Sequence, residues 1–177
     1  MYDDNDMKIF VSNSLSAKND ISDSSDINSA DVNKGRRLGV EIAHKFTDAV
    51  ESFSEDIEGV DTAMLLQRQL LLSFTVTVTL EEYCFDDMIS GVAQKSFLDY
   101  LKQKSTALYN NSSDTGAFSF YYLAFRRGND IERRIGQTFA MLCSHDGDPI
   151  YQELGEALYC WFASAVRATI EDYGFSK

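Results

Sequence analysis

Leu38, Ile42, Phe46, Ala49, Val50 and Phe53 follow one another at intervals of three and four, the spacing that lines up side chains on one face of an α-helix. The same period returns in most of the chain after residue 33, so the sequence predicts an all-α domain over 34–177. The first helix is expected from about residue 34 to 55 and is broken at Gly59. Asp61 is a suitable N-cap for a second helix. In it Leu65, Leu72, Val76, Leu80 and Tyr83 line one side and Leu66, Leu70, Phe74 and Val78 another. A helix apolar on so many sides belongs at the centre of the fold.

Ser73-Phe74-Thr75-Val76-Thr77-Val78-Thr79-Leu80 gives the rival reading, since it also alternates with period two and is rich in β-branched residues. A strand needs a partner, and the one other candidate is the distant run Phe118-Ser119-Phe120-Tyr121-Tyr122. Helix is therefore the preferred reading for 73–80.

A third helix is expected from Met88 to Leu108, ending in a loop from Asn110 to Gly116. A fourth, Ala117 to Arg127, closes at Gly128, which suits a left-handed C-cap position. Asn129 and Glu132 have the spacing of a capping box for the fifth. Along that helix Ile131, Ile135, Phe139 and Leu142 form the stripe, while Gly136 and Ala140 are small enough to admit a close neighbour. Asp148 and the only proline, Pro149, are ordered as N-cap and first helical residue of the last helix. There Ile150, Leu154, Leu158, Trp161 and Ala165 line one face and Tyr159, Phe162 and Val166 another, making it the second central element. The expectation is a single globular domain, an irregular bundle of about six helices.

Residues 1–33 are different in kind, dominated by Asp, Asn and Ser, and read as a disordered tail. Ile9-Phe10-Val11 is either a docking segment, a short strand or, most simply, a chance apolar trio. The 177 residues carry 16 Lys and Arg against 28 Asp and Glu, a net charge of −12. Seven aspartates and two lysines leave the tail at −5 and the body at −7. Such a chain is repelled by phosphate backbones and anionic headgroups, so neither nucleic acid nor a membrane is an expected partner. Imitation of nucleic acid would need the acids gathered on one surface, and they are interleaved with Lys and Arg. The apolar runs Leu70–Leu80 and Ala157–Val166 are shorter than the ~20 residues of a membrane span. Cys84, Cys143 and Cys160 are odd in number and far apart, and residues 1–6 lack the basic start of a signal peptide. Both point to free thiols and a cytoplasmic protein.

Chemistry-bearing motifs are sparse. Glu41-Ile42-Ala43-His44 has the spacing found in dimetal bundles, but no second such pair exists, and an ordinary Glu/His pair is the simpler account. Cys143-Ser144-His145-Asp146-Gly147-Asp148 supplies too few committed ligands for zinc or calcium, and its neighbours diverge too much for a triad. It reads as a polar helix connection. Phosphate loops, dinucleotide fingerprints and nucleophile elbows are missing from the sequence, and no cofactor or metal is expected.

Arg126, Arg127, Arg133 and Arg134 stand out, flanking one tight turn in an acidic chain. Together with the helix start at Asn129 they make a candidate anion site, unless they pair with the abundant carboxylates. Phe118, Phe120, Tyr121, Tyr122 and Phe125 either line a pocket beside them or fill the core. The leading expectation is a non-enzymatic module that binds another protein or itself. The alternative is a helical bundle that binds a small anionic ligand at the Arg126–Arg134 corner.

Overall fold

The computed structural model describes residues 29–54, 62–113 and 115–177. Ile9-Phe10-Val11, Gly59 and Asp61 therefore lie outside the described residues. The fold is all-α, with seven helices among the described residues: α1 (Ser29–Ser54), α2 (Thr62–Tyr83), α3 (Asp87–Lys104), α4 (Thr106–Ser112), α5 (Thr115–Arg126), α6 (Ile131–Leu142) and α7 (Pro149–Asp172). Among the described residues a lone antiparallel bridge between Cys84 and Ser176 is the β-type pairing present.

Two apolar clusters fill the interior, and α2 and α7 contribute to both. In the first, Leu38, Ile42 and Phe46 of α1 and Ile89, Ala93 and Phe97 of α3 meet Leu72, Val76 and Leu80 of α2 and Phe162, Val166 and Ile170 of α7. In the second, Tyr121 of α5 and Ile135 and Phe139 of α6 meet Leu71, Phe74 and Val78 of α2 and Leu158 and Tyr159 of α7. Both helices expected to be central are so.

Ser73–Leu80 is helical, and the reason is legible in its burial: every residue from Arg68 to Leu80 is buried, so alternation has no wet face to serve. Three of its four hydroxyls have backbone partners. Thr75 Oγ1 donates to the Leu71 carbonyl at 2.8 Å and Thr77 Oγ1 to that of Ser73 at 3.3 Å, one turn back in each case. Ser73 Oγ instead donates to the Ser112 carbonyl at 2.7 Å, tying α2 to α4. With its flanks α2 is long and apolar enough to cross a membrane by length and composition, but it is the mostly buried core helix of this fold.

Close helix crossings are made by glycine. A Cβ on Gly39 would overlap the Ala93 carbonyl where α1 crosses α3. One on Gly136 would overlap the Gln152 carbonyl where α6 crosses α7, the close neighbour expected from its size.

Several boundaries differ from expectation. Ser29 to Asn33, assigned to the tail, form the start of α1, where Asp31 suits the positive helix end and Asn33 accepts from Arg36 at 3.2 Å. The long third helix is two, because Ser105 adopts an extended backbone. Its N–H still closes on Leu101 at 2.9 Å while its hydroxyl caps α4 by accepting from Leu108 N at 3.3 Å. Asn110 to Ser112, expected as loop, are thus helical, with Gln69 Nε2 holding the Leu108 carbonyl at 2.9 Å. On α7 the expected face Tyr159, Phe162 and Val166 is buried together with Leu158, whereas Ile150 (73% exposed) and Trp161 (52%) of the other expected face lie on the outside. The Asp148 cap forms as expected, with Oδ1 accepting from Ile150 N at 2.9 Å.

Candidate functional site

The expected arginine turn opens onto a cleft of about 520 Å³ between α5 and α6. Phe120, Leu123 and Ala124 of α5 line one side at helical spacing, with Arg127 in the turn just beyond the helix end. Opposite them stand Arg133, Arg134, Gln137, Thr138 and Met141 of α6, again on one face, with Asp130 at the corner and Asp146 closing the end beside α7. The apolar members are unusually wet for their type: Phe120 is 51%, Leu123 56% and Met141 41% exposed.

Three of the four singled-out arginines, Arg127, Arg133 and Arg134, share this cleft. Among the described residues none of the four lies within ion-pair distance of a carboxylate; the pairs that form are Lys95–Asp99, Lys104–Glu51, His145–Asp148 and Arg167–Glu171. Arg126 is not part of the cleft. It lies one turn on from Tyr122, whose hydroxyl is 3.5 Å from Glu81 Oε1. Burial, then Glu81, raises the Tyr122 phenol, and Arg126 opposes that shift.

Asn129 is also outside the cleft and is not the cap of α6. The cap position falls one residue later, on Asp130, which takes a left-handed backbone (φ 52°, ψ 45°) and makes no side-chain cap bond. The turn is instead closed by Asn129 N–H donating to the Arg127 carbonyl at 3.0 Å, with Gly128 at φ 78° in the left-handed position its sequence suits.

The neighbouring aromatics divide between core and cleft. Phe118, Tyr121, Tyr122 and Phe125 surround Phe74 with ring centroids 5.2–6.3 Å apart, whereas Phe120 faces the cleft. Tyr121 is fully buried, its hydroxyl meets no partner among the described residues, and burial raises its phenol well above the ordinary value.

The remaining chemistry-bearing motifs are used structurally. His44 Nδ1 and Tyr100 OH are 3.2 Å apart, their rings in tilted contact at 4.8 Å. His145 stacks on Tyr151 at 3.8 Å and sits 3.9 Å from Asp148. Among the described residues no three His, Cys, Asp or Glu side chains gather as a metal site would require. Cys84 and Cys160 are free thiols; burial pushes the Cys84 thiol up to about 11.

The apolar half of the cleft is what the arginine pattern alone does not reveal. Its sequence signal is the spacing of Phe120, Leu123, Ala124 and Arg127, which lies beside the inward stripe of α5. Comparison with known proteins adds nothing further: no family model, no curated protein and no solved structure matches the chain.

Proposed function

We propose that this protein is a non-enzymatic interaction module that binds another protein through the α5–α6 cleft. One observation carries the reading. Arg127, Arg133 and Arg134, with no carboxylate partner among the described residues, share a cleft with the exposed Phe120, Leu123 and Met141. Arginine beside exposed apolar and aromatic side chains is the composition of a protein-binding hot spot.

The fitting partner segment combines acidic with apolar side chains. The cleft's titratable groups besides arginine are Asp130 and Asp146, and the Thr138 hydroxyl is committed to the Arg134 carbonyl at 2.9 Å. That set offers neither a nucleophile with its base nor a proton shuttle, which supports a binding role. The two aspartates also disfavour the second reading, a compact polyanion such as a nucleotide, because its charge would meet them along with the arginines. An extended segment can place its acids on the arginines and keep them off the aspartates. The unbridged thiols of Cys84 and Cys160 support a reducing, cytoplasmic setting.

Fluorescence anisotropy with labelled synthetic peptides that pair Asp or Glu with Ile and Phe tests this. We expect saturable binding that falls with added salt and weakens roughly tenfold or more in Arg133→Glu/Arg134→Glu or Leu123→Asp. Binding indifferent to these substitutions overturns the reading. A larger rise in the thermal midpoint with ATP or inorganic phosphate than with any peptide replaces it with the small-ligand alternative.

A further inference from the structure

We propose that the chain's own N-terminal segment, Asp3 to Val11, occupies the α5–α6 cleft, so that a partner binds by displacing it. This rests on the cleft being a protein-binding surface, as read above.

The chemistry matches in kind and in arrangement. Asp3, Asp4 and Asp6 precede the apolar trio Ile9-Phe10-Val11, with Met7 and Lys8 between, so the segment keeps a net charge of −2. The cleft sets Arg127, Arg133 and Arg134 beside Phe120, Leu123 and Met141. In a body of net charge −7, an aspartate-rich segment is repelled by most of the surface and attracted to this corner. Charge also decides against the nearer apolar pair, Phe85 and Met88, which are about half exposed, because Asp86 and Asp87 lie between them.

The reach is sufficient. Lys34, early in α1, sits over the Phe175 ring at 4.9 Å, which places the start of α1 at the C-terminal end of α7. The cleft lies at the opposite end, where Asp146 precedes Pro149. The 24 residues of α7 span about 36 Å at 1.5 Å per residue. Ser29 lies 18 positions after Val11; a polypeptide of that length reaches roughly 60 Å when stretched, and roughly 23 Å is the root-mean-square span of a flexible chain of that length. A tether of this length gives an effective concentration near the millimolar range, so even a weak contact is populated yet yields to a tighter partner. A symmetric pair of clefts from two copies would instead oppose arginine to arginine.

Photo-crosslinking in the full-length protein tests the occupancy, with Phe10 replaced by benzoylphenylalanine. After irradiation at low protein concentration, digestion and mass spectrometry, we expect intramolecular adducts on the peptides carrying Phe120, Leu123 or Met141. They should be lost in Arg133→Glu/Arg134→Glu and return when Asp3, Asp4 and Asp6 are also changed to Lys. Adducts at Phe85 or Met88, adducts formed between copies, no adducts, or no response to the charge reversal each overturn the proposal.

A labelled peptide of residues 1–16 separates this failure from that of the underlying reading. We expect it to bind the full-length Ile9→Ser/Phe10→Ser protein roughly tenfold more tightly than the unaltered protein, because the internal competitor is weakened. Equal binding to both overturns self-occupancy and leaves the cleft as a binding surface. Binding to neither overturns both.

Discussion

The α1–α3 half and the α5–α6 half lean on the same two central helices, and each is drawn together by a glycine crossing, Gly39 over Ala93 and Gly136 over Gln152. Their outer faces differ. On the first, Lys95 pairs with Asp99 at 2.7 Å and Lys104 with Glu51 at 2.6 Å. On the second, arginines with no carboxylate partner among the described residues stand beside wet aromatic and aliphatic side chains. Equal internal packing with unequal surfaces separates what holds the molecule together from what it presents to others.

The largest expected effect tests the shared interior. Gly39→Val and Gly136→Val should each destabilise by about 3 kcal/mol or more, since each side chain meets backbone that has nowhere to move. Because α2 and α7 belong to both clusters, urea unfolding followed by circular dichroism and by Trp161 fluorescence should remain one coincident transition. Two separated transitions would break the picture of halves joined by a common wall.

A smaller effect of opposite sign is expected at Tyr121. Its buried hydroxyl has no partner among the described residues, so Tyr121→Phe should stabilise by about 1 kcal/mol. The pH dependence has a definite sign. Burial raises the folded-state phenol, so the unfolded chain ionises first. The protonated phenol's contribution to stability is full below pH ~10 and is lost as pH rises above it. Tyr121→Phe should therefore retain more of its stability than the unaltered protein between pH 10 and 11, read from denaturation midpoints.

The smallest effect sharpens the contrast in surfaces. Phe120→Ser with Leu123→Ser should change stability by less than about 0.5 kcal/mol while removing peptide binding, because both side chains are more than half exposed. A large loss of stability would make the outer stripe part of the core.

Much of this fold was readable in the order of residues, and the misses have identifiable causes. The stripes of α1, α3 and α6 and the Asp148–Pro149 start of α7 depend on local spacing and local hydrogen bonds, which sequence records directly. Ser105 and Asn110–Ser112 were harder, because Ser and Asn serve equally as loop formers and as members of a short helix held from outside by Gln69 and Ser73. The capping-box spacing at Asn129 and Glu132 was satisfied on paper, but the chain enters α6 through a left-handed Asp130 and leaves Asn129 in the turn. For the site, clustering of arginines in sequence located the corner. Which of them converge depends on the 100° step between neighbours, which carries Arg126 round toward Tyr122 and leaves Arg127 over the cleft.

The ambivalence of Ser73–Leu80 outlasts its resolution as helix. An uncharged segment of alternating Thr, Val and Leu without proline has the makings of a cross-β seed whenever it is exposed. Native α2 withdraws every one of those residues from water. Exposure of the segment therefore follows the fraction of molecules unfolded at any moment, and a substitution far from it that removes about 1.4 kcal/mol of stability raises that fraction about tenfold.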